Sequence, residues 1–154
     1  MNQARFHDLL APVTQWLAGR HISPALTESL NSEFPSDSEW FAEIKELCSI
    51  GLNAGWLCQY EAGGIKYGRV FKPNDDLSGF SVDVVLMKDV VGPHHSHPNG
   101  EVDLVIPLNE GAAFDGIDKG WKVYSPESAH KPTVTGGEAF VIYLLPDGAI
   151  EFTR

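Results

Sequence analysis

The chain has 154 residues, 43% of them hydrophobic and 21% charged, enough for one globular domain with a sizeable core. Eleven basic against 21 acidic side chains give a net charge of −10 at pH 7, which argues against nucleic acid or an anionic membrane surface as a partner. No apolar run approaches the ~20 residues of a membrane span, and the first residues lack the basic-then-apolar layout of a signal peptide. The expected location is the cytoplasm. Cys48 and Cys58 are the two cysteines; without CxxC spacing they read as buried thiols in a reducing compartment.

Residues 1–54 carry a helical pattern. Phe6, Leu9, Leu10, Val13, Trp16 and Leu17 recur at helical spacing, Gly19 can close that helix, and Pro12 is expected to kink it or divide it in two. A second helix is expected just after Ser23, with Pro24 at its first position. Ser36 and Glu39 have capping-box spacing for a third, with Trp40, Phe41, Ile44, Leu47 and Cys48 as its apolar stripe. The apolar faces of these helices should cover a sheet or a subunit interface, and they suit a homodimer.

From residue 55 to 154 the grammar changes. WLCQYEA, IKYGRVFK, FSVDVVLMK, EVDLVIPL, WKVYSP and EAFVIYLLP are short, rich in β-branched and aromatic residues, and bounded by Gly, Pro, Asn and Asp. There is no βαβ alternation, glycine-rich phosphate loop or internal repeat. The predicted fold is mainly β, an antiparallel sandwich or barrel behind an N-terminal helical segment, in a single domain.

The stretch GPHHSHPNGEVDLVIPL concentrates three of the six histidines beside a glutamate. His95 and His97 are two apart, so an extended strand sends both to one face and His94 to the other. Glu101 shares their parity across the Pro98-Asn99-Gly100 turn, and His130 in YSPESAHKP offers a fourth ligand. Imidazole nitrogens with one carboxylate oxygen suit a divalent iron, manganese, zinc or nickel ion. His7 and His21 lie in the helical segment without companions.

GPHHSHPNGEVDLVIPL resembles the first cupin motif, H-x-H followed by a glutamate, and GWKVYSPESAHKP resembles the second. The resemblance implies a jelly-roll barrel with His95, His97, Glu101 and His130 as metal ligands. Two positions depart from it: Asp89 and Glu127 stand where related cupins tend to have glycine. Together with GAAFDG, SAHKPTVTGGEA and YLLPDGAIEF, these stretches are similar to the small cupin-type 4-hydroxylaminobenzoate lyases. That likeness implies conversion of 4-hydroxylaminobenzoate to 3,4-dihydroxybenzoate and ammonia in nitroaromatic breakdown.

Such a reaction needs a proton carrier and an anchor for a small aromatic carboxylate. Glu101 is the expected carrier. Arg69 is the expected anchor, because a guanidinium pairs with a carboxylate bidentately; Tyr67 shares its strand face, with Lys66 and Lys72 on the other. Tyr143, with Trp121 or Tyr124, is expected to form an aromatic wall. Two rival readings use the same residues: an Fe(II)-dependent dioxygenase acting on a small aromatic acid, and a binding module that holds a small ligand without turnover.

Overall fold

A computed structural model describes residues 2–152. Helix α1 spans Asn2–Leu17 and buries Phe6, Leu10, Val13 and Leu17, the stripe its periodicity predicts. Pro12 lies on the exposed side of that helix, which runs through it unbroken rather than splitting in two. Helix α2 covers Leu26–Glu33 and begins two residues later than expected, after a turn in which Leu26 and Thr27 donate to the Ser23 and Pro24 carbonyls. Helix α3 covers Glu39–Ala54. Its N-cap is Ser38, not Ser36: the Ser38 hydroxyl accepts from the Phe41 amide at 3.2 Å.

Ten strands follow: β1 (Tyr60–Ala62), β2 (Ile65–Phe71), β3 (Phe80–Val91), β4 (His95–His97), β5 (Glu101–Pro107), β6 (Ala113–Phe114), β7 (Gly120–Tyr124), β8 (Ser128–His130), β9 (Thr133–Pro146) and β10 (Glu151–Phe152). The expected first strand is shortened. The amides of Trp56 and Leu57 turn back to the Gly51 carbonyl and finish α3, so they cannot join a ladder. All pairings are antiparallel. The larger sheet runs β1-β2-β3-β9-β5-β7, with β6 also on β9; β10-β4-β8 form a second, three-stranded sheet.

Period-two alternation divides the larger sheet into two faces. Val82, Val84, Leu86, Val102, Leu104, Ile142 and Leu144 pack outward against Phe6, Leu10, Ile44 and Leu47 of the helices. Met87, Val105, Phe114, Val141, Tyr143 and Leu145 form the other cluster, inside the barrel. Trp121 belongs to the helix side: it is 1% exposed, stacks on Trp40 at 6.0 Å, and donates from its indole to the Phe34 carbonyl. It is therefore no part of an aromatic wall inside the barrel. Each fully buried Leu, Ile or Val stabilises by roughly 1.5–3 kcal/mol, so the outer face ties helices and sheet into one core. Among the described residues no helix is long and apolar enough to cross a membrane.

Candidate metal centre and its cavity

Strand β4 is only three residues long, yet it presents both its histidines inward, with Ser96 between them less buried. Its antiparallel partner β8 sets His130 directly opposite His95 and Ser128 opposite His97. The Pro98-Asn99-Gly100 turn then delivers Glu101 to the first position of β5. Gly100 makes that turn with φ +89°, and a side chain there would collide with Ile22 at 2.6 Å and the Tyr124 carbonyl at 3.0 Å. Four residues thus converge, each offering a ligand atom within 4.8 Å of all the others. Glu101 Oε1 lies 3.4 Å from His95 Nε2 and 3.3 Å from His97 Nε2; Oε2 lies 3.7 Å from His130 Nε2, which is 3.2 Å from His95 Nε2.

The residues fit a divalent ion on their own chemistry. His97 Nε2 and both Glu101 oxygens are buried without a hydrogen-bond partner, a costly arrangement unless something else satisfies them. Three imidazoles and one carboxylate form an N/O donor set suited to zinc, iron, manganese or nickel. Outer groups fix the ring orientations: His97 Nδ1 meets Ser128 Oγ at 2.9 Å, and His130 Nδ1 meets Asp115 Oδ2 at 2.6 Å. Asp115 also accepts from the Tyr124 hydroxyl at 2.6 Å and the Thr133 amide at 3.0 Å.

Protonation follows from these contacts. Burial pushes the Glu101 carboxyl up, but the His130 and His95 imidazoles facing it outweigh burial and hold the group down at about 2. Burial lowers His97 to about 4 despite Glu101. Burial also works against the His130 imidazolium, yet Asp115 and Glu101 together raise it to about 9. Asp115 is lowered, because His130, Tyr124 and the Thr133 amide overcome its burial. Asp103, two residues along the same strand face from Glu101, is pushed well above the carboxylate range by burial and by its neighbour's charge.

A cavity of about 530 Å³ opens beside His95. Its wall is largely apolar, with Ile65, Val85, Met87 and Phe152 among the lining residues, and it includes Tyr67, Arg69, Asp83 and Tyr143. Tyr143 is 6.1 Å from His95, ring to ring, while Tyr124 sits behind the cluster, 5.2 Å from His97 and 4.5 Å from His130. Tyr67 is 41% exposed and packs on Tyr60 at the rim. Arg69 does not stand alone: its Nε and Nη2 donate to Asp83 Oδ1 and Oδ2 at 2.7 and 3.1 Å. His94, half-buried just before β4, is outside the cluster.

Sequence reasoning missed Asp115, Ser128, Asp83 and Asp103. Asp115 lies in GAAFDG, whose likeness carries no role for it. Asp103 shares the parity of Glu101 on β5, a signal that could have found it. Nothing local marks Asp83 and Ser128, because their partners come from other strands.

Fold and cluster define the class, an antiparallel cupin barrel with a three-histidine, one-carboxylate centre between its sheets. The sequence profile described as PnbB, 4-hydroxylaminobenzoate lyase, matches residues 8–152, and the chain belongs to that enzyme family. It is 33% identical over 154 residues to a 4-hydroxylaminobenzoate lyase of Nocardioides sp. (strain LMS-CY), covering 94% of this chain and 91% of that one. A second protein so named, from Pseudomonas putida, is 32% identical over 162 residues, covering 94% and 90%. Among solved structures, one from a study of the DMSP lyases RdDddP and RnDddQII superposes with a TM-score of 0.58 at 12% identity, covering 99% of this chain and 94% of that one. At that identity the likeness is one of fold.

Proposed function

We propose that this chain is a metal-dependent lyase that converts 4-hydroxylaminobenzoate and water to 3,4-dihydroxybenzoate and ammonia. The supporting observation is a single cavity whose wall holds both His95 of the donor cluster and the Arg69 guanidinium, a reactive end and a cationic end for one aromatic acid. Its volume lies within the range of small-molecule sites, ~300–1,000 Å³. A divalent ion held by His95, His97, Glu101 and His130 would supply Lewis acidity toward the hydroxylamino oxygen or a water.

The chain's own residues do the rest. Arg69 binds the carboxylate, and Tyr67 and Tyr143 flank the ring. Glu101, which starts unprotonated, accepts a proton as the attacking oxygen loses it. Asp115 keeps the Nδ1 proton of His130 in place, so that its Nε2 lone pair faces the cluster. The apolar wall keeps bulk water from the ring.

The overall change is redox-neutral, so dioxygen has no part in it. The test is anaerobic turnover of 4-hydroxylaminobenzoate by protein loaded separately with iron, manganese, zinc or nickel. Equal amounts of 3,4-dihydroxybenzoate and ammonia are expected from at least one form. Product formed only with dioxygen uptake would indicate a dioxygenase, and tight binding without product would indicate a ligand-holding module.

A further inference from the structure

The geometry points to Asp83 and Gly148 as positioning residues that hold the Arg69 guanidinium in one orientation at the cavity wall, leaving Nη1 to receive the substrate's carboxylate; this rests on the lyase reading above. Arg69, Asp83, Tyr143 and Asp103 are successive cross-strand partners on β2, β3, β9 and β5, so they form one row across the sheet. Asp83 occupies the side-on fork of the guanidinium through Nε and Nη2. Nη2 also donates to the Gly148 carbonyl at 3.0 Å. Nη1 makes no hydrogen bond among the described residues.

Gly148 matters through what it lacks. Its φ is +66°, and a Cβ there would lie 2.8 Å from Arg69 Nη1 and 3.1 Å from both Cζ and Nη2. Any side chain would therefore displace the guanidinium that the glycine's own carbonyl holds. Two features separate this from an incidental ion pair. Asp83 lines the cavity, where an unpaired carboxylate would repel an acidic ligand; paired, it becomes the clamp that fixes the arginine. An arginine fixed in advance also loses little side-chain freedom when a ligand arrives, which favours affinity.

The test is calorimetric binding to the metal-loaded protein, so that it does not depend on turnover. The two probes are 3,4-dihydroxybenzoate and catechol, which share the diol and differ in the carboxylate. Asp83→Asn and Gly148→Ala should each weaken 3,4-dihydroxybenzoate about ten- to a hundredfold and leave catechol unchanged, the scale of a lost hydrogen bond to a charged group. Asp83→Glu should recover part of the loss. Tighter or unchanged 3,4-dihydroxybenzoate binding in both Asp83→Asn and Gly148→Ala overturns the inference, as does an equal loss for the two probes. Arg69→Ala separates the two levels. If it weakens both probes alike, the anchor reading itself fails; if it is selective while neither Asp83→Asn nor Gly148→Ala is, only the positioning inference falls.

Discussion

His97 is fully buried and its Nε2 faces Glu101 with no hydrogen bond, whereas His94 lies outside the cluster. Replacing His97 with Ala should therefore abolish metal retention, measured by elemental analysis after gel filtration. His94→Ala should leave the metal content close to wild type. Proton linkage gives a second check at this scale. In the metal-free protein His130 is raised to about 9, so below that pH an incoming ion must displace its proton. Between about pH 7 and 9, each unit of acidification should weaken metal binding about tenfold, with one proton released per ion in calorimetry across buffers. The sign for stability is opposite. The raised His130 stabilises the metal-free fold fully below its unfolded pKa of about 6.5, and that contribution is lost as pH rises toward 9. A pH-independent metal affinity across that window would mean that His130 is not a ligand.

At the scale of strands and turns, six described residues other than glycine have positive φ, and two of them depart from the cupin motifs. Asp89 and Glu127, where related cupins tend to have glycine, have φ of +43° and +67°. The left-handed turns are therefore kept without the glycines. Asp89 is compensated, because its carboxylate accepts from the Gly137 amide at 3.1 Å. Glu127 is exposed and needs only its backbone amide, which donates to the His97 carbonyl at 2.7 Å. Glu127→Gly should consequently raise stability by about 0.5–1 kcal/mol in thermal unfolding, and Asp89→Gly should give no such gain. The same contrast shows what the sequence carries. Parity along β4 and the H-x-H-x3-E spacing made the cluster legible, because a strand's period is fixed by covalent geometry. The Ser128 and Asp115 supports were not legible, since they meet the histidines only through the pairing of β8 with β4 and the turn after β6. Nor was the Asp83–Arg69 pair, in which the cavity's cation spends one fork on its cross-strand neighbour. The exact helix starts also escaped, because Ser36 and Ser38 offer equally good hydroxyls and only packing selects between them.

For the molecule as a whole, β3, β5 and β9 separate two layers of different character. The outer layer is apolar and joins the helices to the sheet; the inner one carries the donor cluster, the polar row and the cavity. Stability and metal binding should therefore respond to different substitutions. Trp121 anchors the outer layer through Trp40, the Phe34 carbonyl, and the Asn31 side chain that accepts from its amide at 2.9 Å. Trp121→Ala should cost about 3–5 kcal/mol, a loss of roughly 6–20 °C in Tm for a chain of this size. Metal affinity of the protein that stays folded should remain close to wild type, because Trp121 packs in the helix-side cluster and the four donor residues face the other side of the sheet. Removing the metal acts from the other side. A chelator leaves His97 Nε2 and both Glu101 oxygens buried without partners and removes the binding contribution, about 2.7 kcal/mol when metal stands at a hundred times its Kd. With no shared partner, the two losses should add to within about 0.5 kcal/mol when the chelator is applied to Trp121→Ala. Differential scanning calorimetry of the two forms, each with and without chelator, measures that sum. A strong departure from additivity would show that the helix layer and the metal centre are coupled through the sheet that divides them.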